Sequence, residues 1–284
     1  MKETSPPPHS HQYLDDNRYG WWRADSIRLL LERAGATRPS AIADIGTGQG
    51  HWLDAIASQL DHAAMLYGID REACWLEDAE QRFRRHPGAK TFTPIRADAA
   101  SIPLENDSID IVTCQTLLMH CEDPAAVARE MVRVVRPGGT LLIVEPVNLL
   151  NRTQVFEMAR LGFDKSHIDV IRFWSHYHAY LRREKCVDHD IGARLPDLFI
   201  GTGARDIALF QNDTIMIGAA TDRPTSDDYE YASPEVRAAF ADNEHEQALY
   251  ARGRAAFDKL DRAIGTVAQT YPMRQNLVVM LASK

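Results

Sequence analysis

Positive charge is in short supply in this chain: 32 Lys and Arg stand against 40 Asp and Glu, a net charge of −8 over 284 residues. Binding nucleic acid demands clustered Lys and Arg on one face, so no nucleic-acid partner is expected. Cysteine is scarce as well. Cys74, Cys114, Cys121 and Cys186 show neither CxxC spacing nor the density of a secreted disulfide scaffold, which reads as reduced thiols in the cytoplasm. No apolar run approaches the ~20 residues of a membrane span. The opening MKETSPPPHSHQ is polar and proline-rich where a signal peptide would be apolar, and residues 1–20 are read as a disordered or lid-forming arm. What remains, 45% hydrophobic and 25% charged, is the composition of an ordinary soluble protein. One main domain with appendages is expected.

The pattern from residue 21 to 146 alternates short apolar runs with amphipathic helices. The runs are 41–45, 64–69, 91–95, 109–114 and 140–145. Between them, Leu53, Ile56, Ala57 and Leu60 form one helical stripe, and Leu76, Ala79 and Phe83 a second. A third helix is marked by Asp123 as N-cap, Pro124 at its first position and Pro137, Gly138 and Gly139 as its stop. Such alternation predicts a Rossmann-like, doubly wound, mostly parallel sheet with helices on both faces. Ligands in these sheets bind beyond the carboxyl ends of the strands. Residues 147–204 read as a helical insertion. The segment 205–284 holds the last strands, 206–210 and 277–281, around a charged helical stretch near 233–268.

The densest motif is AIADIGTGQGHW, residues 41–52, with glycine at 46, 48 and 50 directly after a strand and directly before a helix. Glycines there let a ligand approach the backbone and let N–H groups at the helix start face it. The spacing is GxGxG, and the third glycine of a dinucleotide fingerprint is replaced by His51, which weakens a nicotinamide reading. Asp44 precedes the loop, Asp70 ends the second run in YGID, and Asp98 follows the third in RADAA. All three fall at the ligand-side edge of the sheet.

In unbroken order, DIGTGQG, YGID, RADAASIPLENDSIDIVTCQ and VVRPGGTLLIVEP resemble the successive motifs of class I S-adenosylmethionine-dependent methyltransferases, over about residues 40 to 146. IGARLPDLF, ALFQND and NLVVMLASK are also similar to the later part of methyltransferases of the ubiquinone-pathway type. The resemblance implies a seven-stranded sheet and S-adenosylmethionine as cofactor. Gly46, Gly48 and Gly50 would line its amino-acid end, with Asp44 nearby. Asp70 would accept from both ribose hydroxyls, which suits a carboxylate with two acceptor oxygens. Asp98 and the Ala99 N–H would meet the adenine, and Gln115 would face the sulfonium.

The acceptor pocket of that family is built from the N-terminal segment and the insertion after the fifth strand, both aromatic here: Tyr13, Tyr19, Trp21 and Trp22, then Phe173, Trp174, Tyr177 and Tyr180. The stripe through Tyr177 and Tyr180 is either core packing or a lid whose rings cover the sulfonium by cation–π contact. Asn148 is a candidate for orienting a substrate, or a turn residue. His120 is a candidate base, or a loop histidine beside the next helix cap. Arg23 could pair with a carboxylate, or be a solvated helix-start arginine. His176, His178, Cys186 and His189 fit no standard zinc spacing, and no metal is expected. The leading expectation is in-line methyl transfer to a small molecule. Its rivals are a cyclase that closes the cofactor's own side chain into a four-membered azetidine-2-carboxylate ring with release of methylthioadenosine, and a non-catalytic binding module. The charged 233–268 stretch is a candidate homodimer interface.

Overall fold

The computed structural model describes residues 16–85, 91–152, 162–212, 215–219, 233–267, 270–274 and 277–284. Tyr13 and most of the expected arm lie outside these. Seven strands form one sheet in the order β3-β2-β1-β4-β5-β9-β6. They are β1 (Ala41–Ile45), β2 (Met65–Asp70), β3 (Thr91–Arg96), β4 (Ile109–Gln115), β5 (Val135–Pro146), β6 (Arg205–Gln211) and β9 (Leu277–Ser283). The pairs from β3 through β5 are parallel, while β9 runs antiparallel to both of its neighbours, β5 and β6.

Parallel strands need crossover helices, and the sequence supplies them. Helix α1 (Ala24–Arg33) precedes the sheet; α2 (His51–Ala57), α3 (Ala73–Arg84) and α4 (Pro124–Val134) connect its strands. Asp123 caps α4 by accepting the Ala126 N–H at 2.9 Å, with Pro124 at the first position as expected. The helix ends at Val134, and the chain enters β5 through Pro137, Gly138 and Gly139.

Strand alternation sends successive side chains to opposite faces, and both faces are buried. Ala43, Ile45, Val112, Cys114, Leu141 and Ile143 join one core with α4. Ile42, Ile111, Leu142 and Val144 join the other, with Ile27, Leu30 and Leu31 of α1 and Leu53 and Ile56 of α2.

Past β5 the described chain is helical up to β6: α5 (Asn148–Arg152), α6 (Lys165–Glu184) and α7 (Leu195–Phe199). Helices α8 (Pro234–Ala238) and α9 (Glu244–Val267) occupy the charged stretch. A third core lies between α6 and these two, where Phe173, Trp174 and Tyr177 meet Phe240, Leu249, Phe257 and Leu260. Gly253 admits the close approach, since a Cβ there would come within 2.5 Å of Phe173 Cδ2. One element was not anticipated from the pattern: a small antiparallel pair of β7 (Ile215–Ala219) and β8 (Thr270–Arg274). Both strands are only five residues long, and β8 carries a proline that strand patterns disfavour. Among the described residues, no helix is long and apolar enough to cross a membrane.

Candidate functional site

The glycine loop leaves β1 at its carboxyl end, and all three glycines hold positive φ: +68° at Gly46, +52° at Gly48 and +81° at Gly50. A side chain is strained in that region, and at Gly46 a Cβ would also come within 2.6 Å of Leu117 Cδ1. The N–H groups of Gly46 and Thr47 donate to the Ile69 carbonyl, at 2.8 and 3.0 Å, and that of Gly50 to the Thr47 carbonyl at 2.8 Å. Gly48 donates to Asp70 Oδ2 at 2.9 Å. The N–H groups expected to face a ligand are those at the start of α2, at His51 and beyond. At its own four positions the loop turns them into the fold and offers a ligand bare backbone.

Asp44 is buried, with Oδ2 accepting from the Thr47 hydroxyl at 2.8 Å and Oδ1 without a hydrogen-bond partner. Burial, helped by the nearby Asp70 charge, pushes its carboxyl up to about 7. Asp70, the last residue of β2, also accepts the Glu72 N–H at 3.0 Å. Its pKa is raised by burial, against the pull of these two backbone donors. Asp98, just past β3, is exposed, and its Oδ1 accepts the Ala100 N–H at 2.8 Å beside the half-buried Ala99. Gln115 ends β4, buried, with Nε2 unpartnered.

Two further groups belong to this edge, and sequence reasoning did not single them out. Glu145 is buried at the end of β5; its Oε1 accepts the N–H groups of Leu117 at 2.9 Å and Leu118 at 2.6 Å, while Oε2 has no partner. Burial outweighs those donors and holds its carboxyl near 7. It braces the turn after β4, where Thr116 adopts a φ of +54°. The signal was present in VEP: a carboxylate closing an otherwise apolar strand.

The second group is Arg18. It lies in a 3-10 turn, Asp16–Trp21, that crosses to the sheet edge, where it donates to the Thr116 hydroxyl at 3.3 Å and exerts its charge on Asp44. Its guanidinium sits 4.9 Å over the Trp21 ring. The turn is held down by Tyr19, which donates to Asp54 and accepts from Arg82 at 2.7 Å. Arg82 also reaches His51 at 2.8 Å and the Gln49 carbonyl at 2.9 Å, which ties the turn to α2 and the loop. Trp22 packs on Trp52 with ring centroids 5.0 Å apart. Arg23, the arginine expected here, is turned to solvent beside Asp25 at the start of α1. An arginine five residues earlier, in a turn with no periodic signature, is the one within reach.

Tyr177 is buried in the core between α6 and α9, beside Trp174 and Tyr180, with Leu149 packed against the same cluster. Asn148 begins α5 two residues past the end of β5, half-buried, its N–H donating to the His189 carbonyl at 2.9 Å. His120 is exposed in the turn after β4. Among the described residues no group of His, Cys, Asp and Glu is arranged to hold a metal ion.

The sheet order and the glycine loop between β1 and α2 define the class I methyltransferase architecture. Residues 43–143 match the family described as a methyltransferase domain. The YcgJ protein of Bacillus subtilis has the same fold: its structure superposes with a TM-score of 0.53 at 16% identity, over 92% of this chain and 99% of that one. Demethylmenaquinone methyltransferase of Anoxybacillus flavithermus is 27% identical over 128 residues, 45% of this chain and 52% of its own. An uncharacterized 37.1 kDa protein in transposon TN4556 of Streptomyces fradiae is 31% identical over 118 residues, 42% and 33% of the two chains. The chain spans about half, or less, of the length of the last two relatives. Residues 43–143 thus match a methyltransferase domain, and the sheet that contains them has the fold of class I S-adenosylmethionine-dependent methyltransferases.

The residues present fit that cofactor. Three buried polar atoms without partners, Asp44 Oδ1, Gln115 Nε2 and Glu145 Oε2, stand at the carboxyl edge of adjacent strands β1, β4 and β5. Buried polar atoms are normally satisfied, so such a group marks a place for a polar ligand.

Proposed function

We propose that the protein transfers a methyl group from S-adenosylmethionine to a small molecule. The cofactor supplies a methyl carbon bonded to a positively charged sulfur. The chain supplies position. Asp70 accepts from the ribose hydroxyls, and Asp98 with the Ala99 N–H meets the adenine. Arg18 pairs with the carboxylate of the amino-acid end, and Asp44 with its ammonium. Gln115 closes the site near the sulfur. Methyl transfer disperses charge as it proceeds, so orientation in a dry site can provide much of the rate.

The observation that carries the small-molecule reading is the roof over the β4 and β5 ends. The Asp188 N–H donates to the Met119 carbonyl at 2.8 Å and Asp190 accepts the Leu149 N–H at 2.7 Å. A Cβ on Gly192 would strike the Glu145 carbonyl at 2.7 Å. A segment packed that closely favours an acceptor enclosed by the chain over one laid across an open face. The net charge of −8 argues in the same direction, against nucleic acid.

The test is product analysis by mass spectrometry after incubation with S-adenosylmethionine, alone, with a small-molecule extract, and with demethylmenaquinone as a named trial acceptor. S-Adenosylhomocysteine that forms only with an acceptor supports the reading. Methylthioadenosine that forms without one, above the spontaneous background, replaces it with internal cyclisation.

A further inference from the structure

One pair of titratable side chains next to the site is used by nothing described so far. His178 of α6 is buried, 5% exposed, and its Nδ1 lies 2.7 Å from Asp190 Oδ2. Its other ring nitrogen, Nε2, is enclosed and has no hydrogen-bond partner. Asp190 is fixed by a second contact, since its Oδ1 accepts the Leu149 N–H. Placement follows from that bond: Leu149 stands three residues beyond the end of β5, next to Asn148, on the ligand side of the sheet.

The protonation pattern follows from the partners. The His178 imidazole and the Leu149 donor hold the Asp190 carboxyl below the usual carboxylate range, despite its burial. An ionised Asp190 only accepts, so His178 donates to it through Nδ1, which leaves Nε2 as the nitrogen outside the pair. A histidine oriented through one nitrogen by a carboxylate, with the other nitrogen unpartnered, is the arrangement of a general base.

We propose that His178 is the catalytic base of the methyl transfer, positioned by Asp190, and that the acceptor therefore bears an acidic hydroxyl, of phenol or enol type. The proposal rests on the methyl-transfer reading. In the step, an acceptor oxygen lone pair forms the new bond to the methyl carbon. The carbon–sulfur bond breaks with its electron pair left on sulfur, and the hydroxyl proton passes to His178 Nε2. The imidazolium so formed is stabilised by Asp190 and gives the proton to solvent afterwards. Nε2 is enclosed, so the acceptor must part the groups above it; the half-buried His189, whose ring lies 5.1 Å from that of His178, is one of them.

The probe is 4-nitrophenol, whose phenolate is yellow, added to the full chain with saturating S-adenosylhomocysteine at a pH well below the probe's own ionisation. The wild-type chain should bind it as phenolate. His178→Gln and Asp190→Asn should bind it colourless, within about fivefold of wild-type affinity, and Asp190→Glu should restore colour. Nitrogen-15 NMR of the wild-type chain, which needs no variant to fold, should show His178 protonated at Nδ1 and bare at Nε2. The proposal is overturned by the reverse tautomer, by colour that persists in both variants, or by a wild-type chain that leaves the probe unbound or un-ionised. If S-adenosylhomocysteine itself fails to bind by calorimetry, the methyl-transfer reading falls and this proposal with it. If it binds and the probe results are negative, only the base is lost.

Discussion

The carboxylate of Asp70 holds the glycine loop: its Oδ2 takes the Gly48 N–H at 2.9 Å, so the end of β2 and the turn after β1 are one unit. Asp70→Ala removes both that anchor and the proposed ribose acceptor. Hydrogen bonds to a charged group are worth about 1.5–3 kcal/mol, so cofactor affinity should fall roughly 10- to 150-fold. Calorimetric titration with S-adenosylhomocysteine measures it. An unchanged affinity would remove Asp70 from the ribose site.

Gly46→Ala should do comparable damage by a different route. The new Cβ meets both a positive φ and Leu117 at 2.6 Å. Left-handed backbone costs a non-glycine residue about 1–2 kcal/mol before any clash. We expect lowered thermal stability together with weakened cofactor binding. Shortening Leu117 to Ala in the same chain should recover part of it, which a double-mutant cycle would read out.

Arg18→Gln should weaken S-adenosylmethionine and S-adenosylhomocysteine alike, by about 5- to 30-fold, because the carboxylate is common to both. Arg23→Gln should leave both affinities unchanged. Equal effects from the two variants would refute the assignment of Arg18.

Asp44 and Glu145 give a signed pH dependence. Both carboxyls are raised to about 7 in the folded chain, so the folded state holds their protons more tightly than the unfolded state does. Their contribution is most favourable below about pH 4 and is lost as pH climbs from there to about 7. Asp44→Asn should flatten part of that decline, with a gain at pH 8 on the order of 4 kcal/mol as an upper bound; Glu145 accounts for the slope that remains. Denaturant titrations at pH 5 and pH 8 test it. Cofactor affinity should move the other way. An ammonium pairs with ionised Asp44, so binding should strengthen by up to about tenfold per pH unit up to 7 and then level off.

Tyr177→Phe should leave cofactor affinity untouched, and Tyr177→Ala should destabilise the chain by about 3–5 kcal/mol, as removal of a large ring from a core does. Loss of binding in the Phe variant would return the ring to the site.

The sheet was legible in the sequence because the strand runs are bounded by glycine, proline and capping residues, and because both faces are buried. The residues at the carboxyl edge of the sheet were legible for a related reason. Loops that must hold positive φ leave glycines, and carboxylates that end apolar strands stand out, as Asp44, Asp70 and Asp98 did. Arg18 was hidden because a 3-10 turn has no period and its partner Thr116 lies 98 residues away. The stripe through Tyr177 was ambiguous for the opposite reason: a helix that faces another helix and one that faces a ligand carry the same spacing. His178 and Asp190 lie twelve residues apart without any motif between them, and only the fold brings their side chains to 2.7 Å.

The position of β9 also constrains how the sheet can be made. Within the sheet β6 pairs only with β9, and β9 alone separates it from β5. During synthesis β5 therefore leaves the ribosome with one edge open, and 130 residues, 147–276, must follow before residues 277–283 arrive to cover it. For that interval Val135–Pro146 offers an unpaired, strongly apolar strand edge to any other nascent chain. Slow elongation through 147–276 would lengthen this exposure, and aggregation on expression would be its symptom without any defect in the finished fold.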